Sequence, residues 1–182
     1  YALRLDPDRP IVMVTVTAAW EHHNASYEQQ FDYLAELFTT IRESGAQAIA
    51  SLHPLQRRED YEDFMERYDV RILDRPLFHC ITIPDIFIAS DYSSVLRWAI
   101  AADIPSVNVD FNPHALDVGL PEGYPRLETM AAFRTWLKDR LSAFNSHETM
   151  RDPTARQALR LICDGQFFQR LNALLLSRPN LE

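Results

Sequence analysis

Ile11-Val12-Met13-Val14-Thr15-Val16-Thr17 reads as a strand covered on both faces, because it is continuously apolar and β-branched instead of alternating. A polar loop follows (Glu21, His22, His23, Asn24), and then Tyr27, Phe31, Leu34, Leu37, Phe38 and Ile41 recur at helical spacing. Ser26 with Gln29 predicts a capping box at the start of that helix, and Gly45 predicts its end. Gln47–Leu52 is then a second strand, stopped by His53-Pro54. Tyr61, Phe64, Met65 and Tyr68 mark a second helix, and Val70–Leu73 a short third strand. Asp85–Ala89 is a fourth strand that runs into Ser90-Asp91-Tyr92-Ser93-Ser94, where small polar residues predict a helix start. Val95, Trp98, Ala99 and Ala102 continue that helix, and Pro105–Val109 is a fifth strand. A loop carrying Pro113, Gly119, Pro121, Gly123 and Pro125 comes next. Two helices close the chain. The first is striped by Met130, Phe133, Trp136, Leu137 and Leu141, which we read as core, and the second opens at Asp152-Pro153.

Strands that alternate with helices predict a three-layer, Rossmann-like α/β domain, a parallel sheet of five to six strands with helices on both faces. The chain has 182 residues, which suits one such domain over 1–182. Twenty-six acidic against 18 basic residues give a net charge of −8, which argues against a nucleic-acid partner. Two cysteines, Cys80 and Cys163, are too few for a disulfide framework and lack a nucleophile's signature, so a cytoplasmic, reducing setting is expected. No apolar run approaches the ~20 residues of a membrane span. The chain opens Tyr1-Ala2-Leu3 with no methionine, so we expect a piece of a longer protein whose remainder carries part of the function.

Right-handed crossovers place every strand's C-terminal end on one edge, and ligands of such sheets bind there. The residues just past the strands are therefore the candidates: Thr17, His22 and His23; His53; Asp74; Ser90 to Ser94; and Asp110. The four glycines form neither a G-x-G-x-x-G fingerprint nor a P-loop, so a phosphate here must be held without a glycine cradle. Ser93 and Ser94 supply hydroxyls at a helix start, where backbone N–H groups are unsatisfied; a plain capping role is the competing reading. Asp91 beside them suits loop orientation better than anion contact. Pro54 forces His53 into an extended conformation, so its imidazole can reach over the sheet edge. His22 and His23 are cleft candidates or solvated loop, and neither they nor any Cys or carboxylate cluster has metal-ligand spacing. The carboxylates at Glu59, Asp60, Glu62 and Asp63 read as a solvated face.

Ser51-Leu52-His53-Pro54 and Ser90-Asp91-Tyr92-Ser93-Ser94-Val95 together resemble the C-terminal domain of CDP-glycerol glycerophosphotransferases, the teichoic-acid polymerases. Similar elements occur in bacterial sialyltransferases, polysialyltransferases and capsule-exporting Kdo transferases, all of two-domain GT-B architecture. The resemblance implies that this chain is the half that binds a nucleotide-activated sugar or polyol donor (CDP, CMP or UDP). It implies phosphate contacts from His53, Ser93 and Ser94; from their places past the strands, Pro54 and Thr17 join them as nucleotide-binding candidates, with His22, His23, Asp91 and Asp110 as further cleft candidates. Asp164-Gly165 is similar to a dipeptide before the family's last helix. It implies a transferase for cell-surface polysaccharide in the full-length protein, no cofactor, and an inactive fragment when this half stands alone. The helix over 152–178 is expected to pack toward an absent N-terminal domain, which leaves an apolar patch that favours self-association and leaves room for association with the inner membrane face. One departure stands out: Leu96-Arg97-Trp98-Ala99 lacks the carboxylate of the family pattern, so a donor other than a polyol phosphate also fits. Two alternatives are a UDP-N-acetylglucosamine 2-epimerase, whose Ser-Gly-Gly and Glu are not seen, and a non-catalytic doubly wound binding module. A receiver-type module would need carboxylates where Thr15, Val16 and Thr17 stand.

Overall fold

The computed structural model of the protein describes residues 3–90, 93–110 and 124–145. Six strands, β1 (Ile11–Val16), β2 (Gln47–Leu52), β3 (Val70–Ile72), β4 (Ile86–Ser90), β5 (Ser106–Val109) and β6 (Arg126–Leu127), form one sheet. Its order is β3-β2-β1-β4-β5-β6 and every pairing is parallel. The chain winds outward from β1 in one direction, then returns to wind the other way from β4. The reversal lies between β1 and β4, which is where a crevice opens at the strands' C-terminal ends.

The expected two-sided burial is met. Val12, Val14 and Val16 of β1 pack with Leu34, Leu37, Phe38 and Ile41 of α1 (Tyr27–Glu43) and with Phe133, Leu137 and Leu141 of α4 (Met130–Asn145). Met65 of α2 (Glu62–Arg67) joins the same layer. On the opposite face Met13, Ile49, Phe87 and Ala89 meet Leu96, Ala99 and Ile100 of α3 (Leu96–Ala101). The period of two along each strand sorts these side chains between the layers. Among the described residues no helix is long and apolar enough to cross a membrane.

Local signals placed α1 correctly. Ser26 Oγ accepts from the Gln29 N–H at 3.1 Å and Gln29 Oε1 accepts from the Ser26 N–H at 2.8 Å, which completes the capping box. Gly45, at φ +85°, takes the left-handed conformation that ends the helix at little steric cost. One expectation needs correction. Helix α3 starts at Leu96, and its N-cap is Val95 with no side-chain cap, so neither serine caps it as an N-cap residue would. Trp98 is 44% exposed, because this short helix turns only Leu96, Ala99 and Ile100 inward. Strand β6 makes the sheet the six-stranded end of the expected five to six; at two residues it carries no readable period of its own. The helix expected over 152–178, with Cys163 and Asp164-Gly165, lies outside the described residues, as do Asp91 and the glycines of the long loop.

Replacing Ser26 with alanine removes the cap that serves the Gln29 N–H. A loss of about 1 kcal/mol in unfolding free energy is expected, read as a lower urea midpoint with an unchanged m-value.

Candidate functional site

A cleft of about 650 Å³ opens on the C-terminal edge of the sheet. Thr15 to Ala18 supply its floor from the end of β1, and Ser51 to Pro54 one wall from the end of β2. Leu73 and Arg75 to Phe78 come from beyond β3, and Ser93, Val95 and Trp98 from beyond β4. His53, Pro54, Thr17, His22 and Ser93 thus share one cavity at the topological reversal. His23, Ser94 and Asp110 are not among its lining residues. His23 is an exposed loop residue at φ 59°. Asp110 is buried and ion-paired with Arg126 of β6, which sets it to bracing the sheet's edge. Among the described residues no cluster of His, Cys, Asp and Glu could hold a metal.

The His-Pro element works as a turn. The Gln56 N–H donates to the His53 carbonyl at 2.9 Å, which makes Pro54 the second residue of a β-turn, the position its fixed φ suits. The Gln56 side chain closes the turn from the other side, its Oε1 accepting from the His53 N–H at 2.7 Å. Within the turn the Leu55 N–H donates to His53 Nδ1 at 3.2 Å. With Nδ1 as acceptor, the neutral ring carries its proton on Nε2 and keeps that nitrogen as a donor. The rings of His22 and His53 lie edge to face, 5.6 Å apart. Burial, then the neighbouring His22, push the His53 pKa below the ordinary 6.5, while Glu21 acts in the opposite sense.

Beneath the cleft lies a buried hydrogen-bond network that sequence reading missed. Tyr61 is fully buried, and its phenol oxygen accepts from Gln30 Nε2 at 2.6 Å and from Gln56 Nε2 at 2.7 Å. Its O–H donates to Glu21 Oε1 at 2.7 Å, so the hydroxyl's bonding capacity is full. Burial first, then the Glu21 carboxylate, raise the Tyr61 pKa far above its usual value, and the phenol stays a donor. Gln30 Oε1 also accepts from the Trp20 N–H at 2.7 Å, and Gln56 Nε2 reaches the Thr17 carbonyl at 3.2 Å. Thr17 Oγ donates to the Ser90 carbonyl and joins β1 to β4 across the reversal. That hydroxyl is therefore committed to the scaffold.

Two further lining features carried no sequence signal. Thr15 is 6% exposed, and its hydroxyl has no partner among the described residues, which leaves it to a water or a ligand. Arg75 lines the same cleft with no carboxylate partner among the described residues, whereas Arg58 is held by Glu62 and Asp74.

No protein-family model matches the sequence, and no curated protein does. Solved structures of the wall teichoic acid polymerase TagF do match in fold. A TagF variant soaked with CDPG aligns at a TM-score of 0.62 with 15% identity, over 94% of this chain and 42% of that one. A second TagF variant gives 0.56 and 18%, over 94% and 44%, and TagF itself 0.53 and 16%, over 94% and 44%. At these identities the likeness concerns the fold. The chain spans less than half the length of the structures that it matches.

Tyr61→Phe would strip partners from two amide donors and one carboxylate oxygen. Since an unsatisfied buried group costs ~1–3 kcal/mol, a loss of about 3 kcal/mol is expected in chemical denaturation, well beyond that of a hydroxyl exposed to water.

Proposed function

We propose that this chain is the donor-binding half of a transferase that moves a polyol phosphate or sugar from a nucleotide-activated donor to an acceptor hydroxyl, in the synthesis of a cell-surface polymer. The observation that carries the reading is the convergence of His53, Ser93 and Thr15 on one cleft at the reversal between β1 and β4. The fold likeness to TagF, one structure of which was soaked with CDPG, points to the same class of donor. The donor's diphosphate takes the Nε2–H of His53, the Ser93 hydroxyl and the Arg75 guanidinium. Ser94, exposed and next to Ser93 in the chain, offers a second hydroxyl in this reading.

In such a transfer the bond between donor group and nucleotide phosphate breaks, and negative charge grows on the departing phosphate oxygens. Donors already in place stabilise that charge without reorganising, commonly the largest electrostatic contribution to rate. The His-Pro turn provides such placement, because His53 is fixed through its backbone N–H and through Nδ1 before any ligand arrives. Helix α3 has six residues, so its dipole is small and hydroxyl and imidazole donors carry the contact. The base that deprotonates the acceptor belongs to a second domain. This chain alone binds nucleotide and does not turn over.

Thermal denaturation with CDP, CMP and UDP tests the reading. A nucleotide at 100 times its Kd adds about 2.7 kcal/mol, an upward shift of roughly 5–10 °C for a chain of this size; no response to any of the three would refute it. Ser93→Ala should weaken nucleotide binding about tenfold or more, the worth of a charge-assisted hydrogen bond. The melting temperature of the free variant should not change, because Ser93 is not the N-cap of α3.

The pH dependence has a definite sign. A nucleotide diphosphate diester, whose phosphates do not titrate between about pH 5 and 8, favours the imidazolium form of His53. Its bound-state pKa then lies above the depressed free-state value. Affinity for the diester should rise as pH falls through the bound-state pKa and level off below the free-state one. His53→Asn should flatten that profile.

A further inference from the structure

Phe78 and Trp98 are large aromatic side chains left 56% and 44% exposed, and both line the cleft that holds His53 and Ser93. They reach it from opposite sides of the reversal. Phe78 lies in the 3₁₀ turn Leu77–His79 after β3, and Trp98 on α3 after β4. Their rings meet edge to face with centroids 6.4 Å apart. His79 packs against Phe78 at 4.0 Å. The Phe78 ring is thus held in place by neighbours while much of it remains in water. Leu77 and Val95, also in the lining, pack onto the α3-side core and continue this apolar wall inward.

We infer that Phe78 and Trp98 form a stacking platform for the planar base of the nucleotide, so that one cleft holds the donor at both ends. The inference rests on the donor-binding reading and adds residues to it. A bare phosphate gains nothing from an aromatic wall, whereas a nucleoside carries one flat, weakly hydrated ring that does. The cleft's volume lies in the range of small-ligand sites, and its polar lining is joined by this aromatic rim in a single cavity. Stacking is tolerant of base identity because every base has a π-face. The platform therefore selects for the presence of a base and not between cytosine and uracil.

The experiment measures affinity for CDP and UDP, and for inorganic pyrophosphate as a base-free competitor, in the unaltered chain and in Phe78→Leu, Trp98→Leu and Trp98→Phe. Both leucine variants should lose about tenfold or more in affinity for CDP and UDP alike, while pyrophosphate competes as before and Trp98→Phe retains most of the binding. Quenching of Trp98 fluorescence by CDP, obtained as the difference from Trp98→Leu, should not occur with pyrophosphate. Unchanged CDP affinity in both leucine variants overturns the platform and leaves the donor-binding reading intact. Equal loss of CDP and pyrophosphate also overturns it, because the cleft as a whole has then collapsed. So does self-association that the leucine variants abolish while CDP affinity stays the same, which would make the rim a contact between copies. Absence of CDP binding in the unaltered chain defeats the donor-binding reading, and this inference with it.

Discussion

The hydroxyl of Tyr61 is the point on which the cleft's shape depends. It joins Glu21 from the first loop, Gln30 from α1 and Gln56 from the His-Pro turn. Gln56 passes the constraint to the His53 backbone and to the Thr17 carbonyl, and Thr17 passes it to the end of β4. Loops at the end of a parallel sheet are ordinarily its least constrained part, since no ladder extends into them. Here buried polar groups supply the missing ladder, and the Tyr61 hydroxyl, with its bonding capacity filled, rigidifies what it touches. A site that must stabilise developing charge needs that rigidity more than it needs additional charges.

Electrostatics within the cleft run against the chain's overall balance. A net charge of −8 would repel a diphosphate at long range, but screening limits that repulsion to about 8–10 Å at physiological ionic strength. Inside the cleft the described charges are divided between structure and site. Arg58 is held by two carboxylates, which leaves Arg75 and the two imidazoles facing the cavity. Burial keeps His53 predominantly neutral near pH 7, so it is a donor through Nε2–H first and a cation only when an anion arrives.

Some of this was legible residue by residue. Ser26, Gln29 and Gly45 announced the ends of α1 because capping is a local event, decided within four residues of chain. His53-Pro54 announced a turn because proline's ring fixes its own φ and restricts its predecessor. Other features were not legible. Tyr61 looked like one more apolar helix position, since nothing in its neighbours reveals that Glu21 and Gln30 fold over it. Nothing in the neighbours of Trp98 shows that it stands exposed, which the six-residue length of α3 decides. Ser93 and Ser94 looked equivalent, yet only Ser93 lines the cleft, a distinction set by where the chain leaves β4.

The order of elements, their burial on two faces and the edge of the sheet that would bear a ligand all followed from periodicity and from the handedness of crossovers. Both are properties of the chain's own stereochemistry. Which side chains meet at that edge was decided by tertiary structure alone. The strand order β3-β2-β1-β4-β5-β6 brings residues dozens of positions apart to one cavity, and sequence spacing holds no record of that distance.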